Sequence, residues 1–183
     1  MVYILLGTGF EEVEAITPCD ILRRGGVEVS LVGVNGRVVT GAHGIAVGCD
    51  LTVEEMDPAK TEMVVLPGGL GGVDSVGKCK AATDALKRAW QDGKFVCAIC
   101  AGPTLLAKLG ITDGREVTCY PGCEAQMGDC RPTGKKAVRD GKLICGQAPG
   151  AAAAFGFLLL EALKGSQTAE TVRKGMVFTN AGI

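Results

Sequence analysis

The sequence predicts an α/β protein with a mostly parallel sheet covered by helices on both faces. Short apolar runs alternate with helix-patterned segments along the chain, which is the order that builds parallel sheets through crossovers. Aromatic residues are only 4 % of the chain while hydrophobic residues reach 47 %. The core must therefore come from Val, Ile, Leu and Ala, as in strands buried on both sides. The 28 glycines supply tight turns between these elements.

Each element has a local reason. Val2–Leu6 is a short apolar run stopped by Gly7-Thr8-Gly9, a buried strand. Residues 11–24 have helical spacing, with Val13, Ile16, Ile21 and Leu22 apolar. Acids open this helix, Arg23 and Arg24 close it, and Gly25-Gly26 ends it. Pro18 inside should kink or split it. Residues 27–34 form a second strand. Residues 36–50 hold Val38–Val39 and Ile45–Val47 separated by Gly41-Ala42-His43-Gly44, a hairpin-like excursion. Asp57-Pro58 is a turn. Met63–Leu66 is a strand running into the loop Pro67-Gly68-Gly69-Leu70-Gly71-Gly72.

A helix over 79–91 ends at Asp92-Gly93, and Phe95–Ile99 is a continuous apolar strand. A helix follows from 100–102 to 109. Residues 117–119 form a short strand. Residues 137–139 and 143–145 form a hairpin or successive strands around Asp140-Gly141. Helices close the chain at 151–163 and 168–174. One domain spanning 1–183 is expected.

Bulk properties exclude several function classes. The net charge is −1, from 19 basic and 20 acidic side chains, with no basic stripe for nucleic acid. No apolar run reaches the ~18 residues of a membrane span. Met1–Leu6 has no basic leader and is too short for a signal segment, so the chain is expected to be cytoplasmic. The 9 cysteines are then expected as reduced thiols, most of them small buried hydrophobes.

Chemistry in such sheets gathers at strand carboxyl ends. Three loops qualify: residues 7–14, 67–72 and 99–102. The last reads Ala98-Ile99-Cys100-Ala101-Gly102, the small-x-nucleophile-x-small form of a nucleophile elbow with Cys as nucleophile. Helix N–H groups near the sulfur would favour thiolate. A plain buried cysteine in a strand-turn-helix fits the same residues. Cys97 makes a C-x-x-C with Cys100, but strand alternation puts it with Ile99, opposite Ala98 and the strand end, so packing is favoured over a dithiol.

The only histidine is His43, in the glycine-rich hairpin, so a Cys-His-Asp triad is disfavoured. Glu11, Glu12 and Glu14 lie in the first loop. One of them touching the sulfur would share a single proton with it. Dipole complementarity at a helix start accounts for Glu11 and Glu12. Gly68-Gly69 suits an oxyanion hole or a plain turn. Gly7-x-Gly9-x-x-Glu12 lacks the third glycine of a dinucleotide fingerprint. Cys119, Cys123 and Cys130 are irregularly spaced with no nearby His, so no cofactor and no metal are expected.

Together, Glu11-Glu12-Val-Glu14 with Pro18, Asp20, Arg23 and Arg24, then Val64-Val65-Leu66-Pro67-Gly68-Gly69, then Ala98-Ile-Cys-Ala-Gly-Pro103, then Pro149-Gly150 resemble the DJ-1/ThiJ/PfpI superfamily nearly throughout. The resemblance implies a flavodoxin-like three-layer sandwich and, usually, a homodimer. It implies a reactive Cys100, a protonated Glu14 beside it, and an oxyanion cradle of Gly69 and Ala101 N–H groups with Gly68 adjoining. It aligns Arg24 with a subunit-interface arginine and His43 with a position facing the partner's site. Two departures bear on mechanism. Ala101 stands where the protease-like branch has His, which disfavours a cysteine peptidase. Tyr120 stands where many relatives have His.

Two function classes follow from the resemblance. One is a glyoxalase III-type hydratase or deglycase acting on a small-molecule aldehyde or glycated substrate. The other is an oxidative-stress sensor or protective chaperone in which Cys100 oxidises to sulfinate.

Overall fold

The computed structural model describes residues 1–178; the last five of the expected 1–183 domain lie outside the described residues. In chain order the elements are β1 (Val2–Leu6), α1 (Glu12–Arg24), β2 (Val29–Gly33), β3 (Val38–Thr40), β4 (Ala46–Gly48), β5 (Leu51–Thr52) and β6 (Met63–Leu66). They continue as α2 (Leu70–Lys78), α3 (Lys80–Gln91), β7 (Phe95–Ile99), α4 (Gly102–Lys108), β8 (Glu116–Val117) and β9 (Arg131–Pro132). The last are β10 (Ala137–Asp140), β11 (Leu143–Gly146), α5 (Ala152–Lys164) and α6 (Ser166–Gly175).

Seven strands form the central sheet in the order β10-β11-β7-β6-β1-β2-β5. Every pairing is parallel except β10 with β11. Helices cover both faces, giving the three-layer sandwich. Strand alternation sorts side chains between two cores. Ile4, Val65, Cys97 and Ile99 pack with Ile21, Phe155 and Leu160 of α1 and α5. Tyr3, Leu5, Val64, Val96 and Ala98 pack with Val76, Leu86 and Leu105 of α2, α3 and α4.

Some elements depart from the sequence reading. Helix α1 runs through Pro18 without being split. Proline removes one ladder N–H, but the helix buries Ala15, Pro18, Cys19 and Leu22 as it packs on α5, and tertiary burial outweighs the loss. The glycine-rich segment after β6 is a helix, α2, from Leu70 onward. Glycines at 71 and 72 masked its period, which Leu70, Val73 and Val76 carry. Residues 118–119 are not strand. Instead β8 pairs with β9 in a separate two-stranded ribbon. The excursion over 36–50 is a hairpin of β3 against β4, and residues 137–146 form the antiparallel β10–β11 pair.

Candidate functional site

The carboxyl ends of β1, β6 and β7 are neighbours in the sheet, so the loops after them meet. Cys100 follows β7 with φ of 65°, a left-handed conformation that costs a non-glycine residue roughly 1–2 kcal/mol. Backbone bonds on both sides hold it there. Its N–H donates to the Gly146 carbonyl at 3.0 Å, and its own carbonyl accepts from Tyr120 N–H at 2.8 Å. Small neighbours permit the turn: a Cβ on Gly102 would stand 2.8 Å from the Leu66 carbonyl oxygen and 3.1 Å from Ala98 Cβ. Such strain persists where surrounding contacts enforce it, and it clusters at functional sites.

Glu14 comes from the first turn of α1 and is fully buried. Its Oε2 accepts from Gly68 N–H at 2.8 Å. Its Oε1 is buried without a partner. Burial, opposed by the interaction with Cys100 and by the Gly68 N–H, pushes the carboxyl up to about 7, and the Glu11 charge adds to the rise. A buried carboxylate oxygen with no donor is costly. A protonated carboxyl removes that cost, and the side chain that interacts with this carboxyl is Cys100.

Cys100 is 9 % exposed. Burial, then the Glu14 charge and contact, push its thiol up to about 12, while Ala101 and Gly69 N–H groups pull it down. The expectation that helix-terminal N–H groups would leave a depressed thiol is thus corrected: burial beside a carboxyl outweighs them. Both partners are raised chiefly by burial; their contact adds to the rise of the thiol and opposes that of the carboxyl. With the carboxyl at about 7 and the thiol at about 12, the carboxyl is the first of the two to give up its proton, and the second proton is held far more tightly.

The glycines of the β6 loop are dictated by this crowding. A Cβ on Gly68 would fall 2.5 Å from Glu14 Oε2 and 2.6 Å from Cys100 Cβ. Gly69 has φ of 82°, and a Cβ there would lie 2.4 Å from the Gly9 carbonyl oxygen. Gly68→Ala is expected to cost about 1–3 kcal/mol by overpacking, read by urea unfolding. An unchanged midpoint would mean that Glu14 and Cys100 can separate at no cost.

Other expected residues fall elsewhere. His43 is not brought to Cys100. Its Nδ1 lies 2.8 Å from Glu12 Oε2 and 3.6 Å from Glu11 Oε2. Glu12, read as dipole complementarity alone, fastens the β3–β4 hairpin by accepting from His43 N–H at 2.8 Å and Ile45 N–H at 3.4 Å. Burial opposes its ionisation, but His43 and these N–H groups hold its carboxyl below the usual range. We read Glu11, Glu12 and His43 as an ion-pair cluster and not a metal centre, because the Glu12 oxygens are already engaged.

Arg24 sits at the far end of α1, paired with Asp20 at 2.7 Å, ten residues and about 15 Å along the axis from Glu14. It does not line the site in this chain. Tyr120 contributes its backbone N–H to the elbow, and the residue is 49 % exposed. Cys97 stands in the same apolar cluster as Cys100, not on the opposite face, because the left-handed turn swings residue 100 out of strand alternation. Both are free thiols.

Comparison with known proteins bears on the family. Residues 1–162 match the model of the DJ-1/PfpI family. The chain is 35 % identical over 177 residues to protein dj-1beta of Drosophila melanogaster, covering 95 % of each chain. The crystal structure of that protein superimposes with a TM-score of 0.91 at 34 % identity, covering 96 % of both chains. A protein of Pyrococcus abyssi named a deglycase is 35 % identical over 151 residues, covering 81 % of this chain and 90 % of its own length. The structure of oxidized Toxoplasma gondii DJ-1 has a TM-score of 0.91 at 27 % identity, covering 96 % of this chain and 97 % of that one. Among the described residues, no helix is long and apolar enough to cross a membrane. On this evidence the chain belongs to the DJ-1/PfpI family.

Proposed function

We propose that the chain is a cysteine-dependent enzyme acting on small reactive aldehydes, as a glyoxalase III-type hydratase or a deglycase. The observation that carries this reading is the left-handed Cys100, its sulfur facing a buried Glu14 carboxyl and the N–H groups of Gly69 and Ala101. The "deglycase" name of the archaeal relative supports the same substrate class. The low exposure of Cys100 favours substrates of few atoms.

In the reactive tautomer the proton rests on Glu14 and the charge on sulfur. Sulfur adds to the aldehyde carbon, a C–S bond forms, and the carbonyl π electrons move to oxygen. Gly69 and Ala101 N–H groups hold that oxyanion, and Glu14 gives it a proton to complete a hemithioacetal. With methylglyoxal, the Glu14 carboxylate then takes the proton from the sulfur-bearing carbon and returns one to the adjacent carbon, while the hydroxyl proton of the hemithioacetal passes to the former ketone oxygen. Hydrolysis of the resulting thioester consumes one water and releases lactate and the thiol. Purified protein incubated with methylglyoxal should release lactate detectable by NMR. Release no faster than from heat-inactivated protein would sink the proposal.

A second reading is supported by the same cradle. Hydroperoxide could oxidise Cys100 to sulfinate, whose oxygens the Glu14 carboxyl and the two N–H groups would hold. The oxidized Toxoplasma relative favours it. Mild peroxide should then add two oxygens at Cys100 by peptide mass mapping. Oxidation scattered over the other cysteines would count against it. Peptidase chemistry is disfavoured by Ala101 after the nucleophile and by the pairing of His43 with Glu12. Self-association fits the outer stripe of α1, where Val13 (47 % exposed) and Ile16 (41 %) adjoin the Asp20–Arg24 pair. A monomer mass by light scattering would reject it.

A further inference from the structure

We propose that Glu11 and His43 are positioning residues of this site, a charge pair that sets how tightly the Glu14–Cys100 couple holds its proton. The inference rests on the Glu14–Cys100 reading above and adds a regulatory layer to it.

The geometry links the two clusters through one peptide. Glu11 N–H donates to the Gly68 carbonyl at 3.0 Å, and Gly68 N–H donates to Glu14 Oε2 at 2.8 Å. Glu11 is the N-cap of α1, with extended backbone, and Glu14 lies three residues on in the first turn, where the Glu11 charge reaches its carboxyl. The Glu11 side chain is only 14 % exposed, so solvent screens it incompletely. On its other side stands the imidazole of His43, 3.6 Å from Glu11 Oε2 and 2.8 Å from Glu12 Oε2.

The surroundings leave few other charges to act. Glu14 is faced by Cys100 from the β7–α4 elbow and by Glu11 from its own helix. The β6 loop, Leu66 to Leu70, and the start of α5, Ala152 to Gly156, contain no ionisable side chain. His43 is faced by Glu11 and Glu12 alone among the groups that shift it, and their contact holds it above the usual imidazole range. A carboxylate beside Glu14 raises its proton affinity; an imidazolium beside that carboxylate offsets the effect. As His43 discharges, the offset is lost and the couple grips its proton more tightly. The site thus carries its own brake against a rise in pH.

The two residues should act with opposite signs, which a merely structural role would not produce. The readout is the pH midpoint of Cys100 alkylation by iodoacetamide, followed on the Cys100 peptide by mass spectrometry. Glu11→Gln should lower the midpoint by about half to one pH unit, the size of one partly screened charge. His43→Gln should raise it by a few tenths, and His43→Lys, a lasting cation, should restore the wild-type value. No shift in Glu11→Gln, a downward shift in His43→Gln, or no rescue by lysine would each overturn the proposal. Failure of the underlying pair reads differently: the wild-type midpoint would then be indifferent to Glu14→Gln.

Discussion

Cys100→Ala is expected to abolish aldehyde turnover, by about a thousandfold or more, with the fold intact. Removing a nucleophile that acts with its partners as a unit typically costs at least that much. Alanine keeps the Cβ, so the backbone at φ of 65° and its bonds to Gly146 and Tyr120 should stay as they are. No other cysteine can substitute. Cys97 and Cys145 are fully buried, and burial pushes both thiols up. The remaining thiols lie outside the Glu14 contact. Lactate release and thermal unfolding of the same preparation check the claim. Residual turnover within tenfold of wild type would assign the chemistry elsewhere. Cys100→Gly supplies a separate test of strain: glycine adopts positive φ freely, so it should unfold at higher denaturant than Cys100→Ala by about 1 kcal/mol of stability.

Much of this architecture was legible because it is local. Phe95–Ile99 and Met63–Leu66 are read to the residue, since an apolar run with a turn at each end admits little else. The elbow was legible for a related reason: Gly102 and the small Ala98 leave room for a left-handed residue 100, and Pro103 stands in the first turn of α4, where its fixed φ suits the helix. What stayed hidden depends on contacts distant in sequence. Helix α2 has glycines where it needs formers, because Gly72 packs against Phe10, whose Cα would lie 2.6 Å from a Cβ. Glu12 looks like any acid at a helix start until the β3–β4 hairpin brings His43 to it. A possible signal was Gly41, where a Cβ would meet the Glu12 carboxylate, with the sole histidine two residues on. The direction of the Cys100 shift was also hidden, since it turns on burial and not on the N–H groups that the sequence displays.

Glu14→Gln is expected to remove most of the pH dependence of both reactivity and stability in the neutral range. In the folded chain burial raises the Glu14 carboxyl from 4.5 to about 7. Between those values the native state keeps a proton that the unfolded chain has already released. Wild-type stability therefore falls as pH rises through this window and levels off above about 7, by on the order of 3 kcal/mol in all. Glutamine has no proton to lose, while its amide oxygen can still accept from Gly68 N–H. The variant should be nearly flat from pH 4.5 to 7 in this contribution and should gain on wild type as pH rises. Its Cys100 alkylation should also lose any step near 7, because the carboxyl that titrates there is gone. Urea unfolding at pH 4.5, 6 and 8 and alkylation across the same range measure the two effects on one protein. Equal pH slopes in variant and wild type would mean that the Glu14 proton is not coupled to folding, and a shared midpoint would mean that Cys100 titrates without it. Loss of both together would identify the carboxyl as the acid that the elbow was built around.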